Sequence, residues 1–288
     1  MSGLALAATT HDQARATSGH RSAAATAHTA AQPSLRRLAQ RLLREHIHRV
    51  VGHFRRRYPG LVRDWDVVNE AVDNDGTLRR TIWQRWIGND YIDWAFRFTR
   101  EAAGPRARLF YNDYLEGAMP AASEAIGGEF DNYDPHPYAY PGATGRQACS
   151  EVVKCRAIMR LVERLRRCGV PIDGVGFQGH LLGGNPPDYV GLTRWVRKLG
   201  LRWAITELDL PLPAGASAND RERQGAAFAQ AVKACRRDPA CDTVVFWGLS
   251  DRYTWWRDLT RGALVDATLF DPLLHPKPAY WAVARALR

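Results

Sequence analysis

Ile205-Thr206-Glu207-Leu208-Asp209 is an apolar run closed by carboxylates, the pattern of a buried strand that delivers an acid to its C-terminal end. Far upstream, Trp65-Asp66-Val67-Val68-Asn69-Glu70 has the same shape. Two glutamates ending two Val/Ile/Trp-rich strands suit a parallel barrel, in which the C-terminal ends of distant strands converge on one mouth. Around them strands are expected at 62–69, 107–113, 172–178, 202–208 and 243–248. Helices are expected near 90–103, 150–167, 188–198, 219–236 and 278–287, with Asn89 capping the first and Gly104-Pro105 stopping it. Ahead of these, apolar residues at 35, 38, 42, 43, 47, 50, 51 and 54 predict an amphipathic helix with arginines on its outer face. Strand-helix repetition means a parallel sheet covered by helices. The expected fold class is therefore α/β, of the (β/α)8 TIM-barrel type, with about five of the eight strand-helix units recognisable.

Residues 1–34 are Ala/Thr/Ser/His-rich without periodicity and are expected to be disordered, leaving 35–288 as one barrel domain. Between Glu116 and Cys149 lies a Gly/Pro/Tyr-rich stretch, long for a loop, which leaves a strand's C-terminal end and is expected to overhang the site. Composition is globular, with 45% hydrophobic and 24% charged residues, but ten Trp and ten Tyr exceed the usual share and include rings of the kind that line sugar clefts. A net charge of +10 raises the question of a polyanion partner. The arginines are spread along the chain and no basic run interleaves with aromatics, which argues against nucleic acid. His46 and His48 fall on different helix faces, and the five cysteines form no C-x-x-C pair, so no metal is expected. No apolar run approaches a membrane span. Cys235 and Cys241 flank the turn-like Arg-Arg-Asp-Pro-Ala, and a disulfide there would imply an exported protein, although the first residues do not read as a secretory signal.

Paired strand-end carboxylates suit cleavage of a glycosidic bond. One must protonate the leaving oxygen while the other meets the positive charge developing on the sugar. Trp-Asp-Val-Val-Asn-Glu (65–70), Asn-Asp-Tyr (112–114), Gly-Val-Gly-Phe-Gln-Gly-His (174–180), Ile-Thr-Glu-Leu-Asp (205–209) and Trp-Gly-Leu-Ser-Asp-Arg-Tyr-Thr-Trp (247–255) occur in order, and Pro276 to Trp281 closes the series. In these motifs the chain, from about Leu35 to Arg288, resembles the family 10 glycoside hydrolases, mostly endo-1,4-β-xylanases.

The resemblance implies Glu70 as general acid/base and Glu207 as the nucleophile of a retaining mechanism, with carboxyls about 5–5.5 Å apart. It implies that Asn69 bonds the sugar 2-hydroxyl and the nucleophile, that Gln178 and His180 face the same sugar with His180 held by Asp209, and that Trp247 and Trp255 form an apolar cradle. An acid is expected to be kept protonated by burial or a negative neighbour, and a nucleophile to be kept ionised by donors such as His180. No cofactor is implied, and the partner implied is xylan. A similar cysteine pair in exported family members adds to the expectation that Cys235 and Cys241 are bonded, while Cys149, Cys155 and Cys168 stay unassigned. Leu115 replaces the usual Asn after Asn-Asp-Tyr. Three strand-helix units that the family places before Trp65 are not recognisable, and 34 residues are too few for units of about 30 each. The expectation is thus a natural coding region that begins further upstream, and a secreted full-length form. The alternatives are an inactive or partner-dependent barrel fragment, or a related glycanase acting on another polysaccharide.

Overall fold

The computed structural model describes residues 24–114, 149–181 and 187–288, with side chains described from Ser34 onward. Strands β1 (Asp64–Asn69), β2 (Arg108–Asp113), β3 (Gly174–Phe177) and β4 (Arg202–Leu208) lie side by side in chain order and all parallel. A short β5 (Leu212–Pro213) leaves this sheet, and β6 (Cys241–Phe246) rejoins it beside β4, again parallel. The fifth short strand finds an antiparallel partner in β7 (Leu264–Val265). The helices are α1 (Ala24–Arg57), α2 (Ile82–Ile87), α3 (Tyr91–Ala103), α4 (Val153–Arg167), α5 (Tyr189–Leu192), α6 (Arg194–Lys198), α7 (Ala218–Arg237), α8 (Trp255–Leu259) and α9 (Pro278–Leu287). This is the expected barrel-type architecture, in an arc of five parallel strands.

The period of two along each strand divides the sheet into two faces. Trp65 pairs with Leu109, and beyond an irregularity at Val67 the residues Val68, Tyr111, Val175 and Trp203 lie in register, as do Phe177 and Ile205; all are buried in the hydrophobic core. Phe96 of α3, Ile158 and Val162 of α4, and Phe228 of α7 are fully buried in the same core, and Tyr189 stacks on Trp203. On the other face Asp66, Phe110, Ala204 and Thr206 look into the hollow of the arc. A Cβ on Gly174 would run into the Phe110 ring, and one on Gly176 into the Asn112 amide. Gly174 therefore makes room for the Phe110 ring, and Gly176 for Asn112 where it crosses the sheet.

Several boundaries differ from expectation, each for a local reason. Helix α1 starts at Ala24, within the segment read as disordered, because an Ala-rich stretch carries helix propensity without any apolar period. Of its predicted apolar positions Leu43, Ile47 and Val51 are buried, whereas Leu35, Leu38 and Leu42 remain exposed. Asp90, not Asn89, occupies the cap of α3, and its carboxylate takes Arg36 and the Trp94 indole instead of the helix amides. Asn89 accepts from Gln84 of α2, a six-residue helix too short to show a period but capped by Thr81. The helix expected over 188–198 breaks at Thr193 into α5 and α6. Cys235 is bonded to Cys241, and Cys149 to Cys155, leaving Cys168 as the free thiol. The loop expected to overhang the site lies outside the described residues.

Candidate active site

At the C-terminal edge of β1 the chain turns sharply. Glu70 has φ 51°, in the left-handed region that costs a non-glycine residue energy, and it is held there from both sides. Its own N–H donates to Asn112 O at 2.9 Å, and the next N–H, of Ala71, donates to the Tyr111 hydroxyl at 3.2 Å. The turn swings the Glu70 carboxylate back over the strand ends, where Arg79 meets Oε2 at 2.9 Å and the Gln178 amide meets Oε1 at 2.8 Å.

Glu207 is buried on β4 among donors from neighbouring strands. The Asn112 amide nitrogen donates to Glu207 Oε1 at 2.7 Å and to Asn69 Oδ1 at 2.9 Å, while the Thr206 hydroxyl donates to Asn112 Oδ1 at 2.6 Å. Only the nitrogen end of an amide satisfies two acceptors at once, so the orientation of Asn112 is fixed by its surroundings. Gln178 adds a longer 3.3 Å bond to the same Asn69 oxygen. On the other side His180 Nε2 lies 3.4 Å from Glu207 Oε2 and its Nδ1 lies 2.8 Å from Asp209 Oδ1. Trp255 donates to the second Asp209 oxygen at 2.7 Å. The Trp255 and Trp247 rings stand 5.1 and 6.4 Å from the imidazole, and Trp247 is 43% exposed on the open side.

All eight residues expected at the site thus fall into one hydrogen-bonded and aromatic cluster. Two points differ from expectation. Asn69 is linked to Glu207 through Asn112, a residue of a recognised motif that had been given no role. Glu70 is not held protonated. Burial pushes its pKa up, but the charges of Arg79 and Lys154, with the Gln178 bond and His180, outweigh burial and leave it below the ordinary glutamate value. Burial disfavours an imidazolium at His180, yet Asp209 and Glu207 together raise its pKa to about 10. Asp66, beneath the cluster, is pushed to about 7 by burial, Glu207 and Asp64.

Arg79 and Lys154 escaped sequence reasoning because they lie in the turn after β1 and at the start of α4, not on strand ends. One signal for Lys154 was present: positions 154, 158, 161 and 165 form the buried stripe of α4, and a lysine interrupts it. Among the described residues no group of three or more His, Cys, Asp or Glu is placed to hold a metal ion, and no helix is long and apolar enough to cross a membrane.

Carboxylates at the ends of parallel strands, tied together across the sheet, place two acids over one mouth of an α/β barrel-type fold. The chain belongs to glycosyl hydrolase family 10, whose family model matches residues 19–126 and 147–286. It is 34% identical over 244 residues to endo-1,4-beta-xylanase B of Thermotoga neapolitana, covering 84% of this chain and 60% of that protein. Endo-1,4-beta-xylanase 2 of Aureobasidium pullulans is 33% identical over 260 residues, with 85% and 61% covered. Among solved structures, native xylanase 10B from Thermotoga maritima superposes with a TM-score of 0.67 at 32% identity, covering 88% of this chain and 67% of that one. Xylanase 10B from Thermotoga petrophila, solved in complex with xylobiose, gives 0.66 at 33% identity, with 85% and 64% covered. The chain spans about 60% of the length of these curated relatives.

Proposed function

We propose that this protein hydrolyses internal β-1,4-xylosidic bonds of xylan by double displacement. The observation that carries the reading is the unbroken bond path from Glu70 through Gln178, Asn69 and Asn112 to Glu207, which ties the two carboxylates to one small space. Its substrate class is supported by family membership and by relatives 33–34% identical that are named endo-1,4-beta-xylanases.

In the first step Glu207 attacks the anomeric carbon while Glu70 gives its proton to the departing sugar oxygen, leaving a glycosyl ester on Glu207. In the second, Glu70 takes a proton from water, which attacks the same carbon and releases Glu207. Asn112 and the His180 imidazolium orient the nucleophile and disperse its charge, and Asp209 with Trp255 keeps the imidazole in place. Trp247, open on one side, offers an apolar ring face to the sugar. Because Glu70 must be protonated for the first step and its pKa is lowered, kcat/KM is expected to fall as pH rises past an acidic value. The two disulfides support a natural form that is exported.

Reducing-sugar release from xylan by the purified chain tests the reading. Activity is expected on xylan, to be absent in Glu207→Ala, and to return in that variant with azide, giving a product of inverted configuration. Unchanged hydrolysis by Glu207→Ala would overturn the nucleophile assignment.

A further inference from the structure

Lys154 is a buried charge that the proposed chemistry does not use. Its side chain is 0% exposed, and it sits in the first turn of α4, where the helix dipole disfavours a cation. Neighbouring Cys155 is bonded to Cys149, which fastens this turn to the segment before it. Two routes lead from the ammonium to Glu70. In one, Nζ lies 2.9 Å from Asp113 Oδ1, the other Asp113 oxygen accepts from the Tyr111 hydroxyl at 2.6 Å, and that hydroxyl in turn accepts the Ala71 N–H beside the strained Glu70. In the other, Nζ stands 3.0 Å from the centroid of the Tyr114 ring, whose hydroxyl accepts from Arg79 at 3.0 Å, and Arg79 holds the Glu70 carboxylate.

We propose that Lys154 is a positioning residue for Glu70, fixing its backbone through Asp113 and Tyr111 and its carboxylate through Tyr114 and Arg79. The proposal deepens the reading of Glu70 as acid/base and rests on it. The charged and titratable groups around Glu70 are Arg79 with its second partner Asp73, Lys154, Asp113, Tyr111, Tyr114, His180 and Glu207. Burial pushes Lys154 and Asp113 each toward the neutral form, down and up respectively, and their pairing opposes both. Arg79 is held by Asp73 as well as Glu70, and its bond to the Tyr114 hydroxyl, with the Tyr114 ring against Lys154, makes the position of Arg79 answer to Lys154.

The test is a pH titration of the Glu70 carboxyl by ¹³C NMR in the full chain, with the resonance assigned by its loss in Glu70→Gln. In the unaltered protein it is expected below the ordinary glutamate value of about 4.3. In Lys154→Gln, which keeps a donor toward Asp113 but no charge, it is expected to move up, and in Lys154→Arg to return. The falling limb of kcat/KM on xylan should move in the same directions. A Lys154→Gln protein with a cooperative melt and an unshifted Glu70 overturns the proposal, since a merely structural tie leaves the titration in place. Where Lys154→Gln does not fold, the unaltered protein decides: Glu70 titrating above about 4.3 overturns the proposal too. A shifted Glu70 in a protein without activity on xylan removes the activity reading and leaves the role of Lys154 standing.

Discussion

Asn112 stands between two acceptors, the Asn69 amide oxygen and the Glu207 carboxylate, and is kept facing both by the Thr206 hydroxyl behind it. A hydrogen bond to a charged group contributes about 1.5–3 kcal/mol, so Asn112→Ala is expected to lower kcat by about 10- to 100-fold with a small change in KM. Steady-state kinetics on xylan checks it, and a change confined to KM would assign Asn112 to substrate binding instead. His180 gives a second prediction at this scale. Its pKa rises from about 6.5 unfolded to about 10 folded, so its contribution to stability is fully present below about 6.5 and is lost as pH climbs through 10. Urea midpoints are expected to fall between pH 6.5 and 10 in the unaltered protein and to change less in His180→Gln. Equal slopes in the two proteins would show the imidazole to be neutral.

At the scale of elements, the strand ends were legible in the sequence and the braces behind them were not. The apolar runs before them place Glu70 and Glu207 at strand ends from sequence, whereas Asn69 and Asp209 are placed by the family motifs that contain them. Their supports come from elsewhere in the chain: Arg79 from a turn, Lys154 from a helix start, and Gly176 from a strand that yields space to Asn112. Such meetings depend on how elements pack, which no local period encodes. Short elements such as α2 and α8 were missed for a related reason, since fewer than two turns display no face. The Cys235–Cys241 bridge belongs to this scale as well, joining the last turn of α7 to the first residue of β6. For so short a loop the constraint on the unfolded chain is worth about 2 kcal/mol. Replacing both cysteines by serine is expected to lower the melting temperature by several degrees while leaving the site untouched. An unchanged melting temperature would mean that the α7–β6 connection is ordered without it.

At the scale of the whole molecule, the described strands form an arc, and β1 and β6 each have a partner strand on one side only. The hollow between them is a cavity of about 470 Å³ lined by Asp64, Asp66, Phe110, Thr206 and Val244. Across its lower end Asp242 of β6 draws the two sides together through Arg108, which also holds Asp64 of β1, with Arg202 on its other flank. This clasp is partly exposed and so partly screened by salt, whereas an open strand edge and wet apolar side chains favour association at about 25 cal/mol for every Å² covered. The 288-residue chain on its own is therefore expected to self-associate, as light scattering would report. Asp242→Asn should increase that association at neutral pH. Asp242 has a lowered pKa: burial raises it, but Arg108 and Arg202 outweigh burial. Its clasp is thus present above the unfolded aspartate value of about 3.9 and is lost as pH falls through the lowered one, so acid should mimic the substitution. A monomeric chain that melts cooperatively, binds no apolar dye and is indifferent to Asp242→Asn would show instead that the five-stranded arc is sufficient in itself.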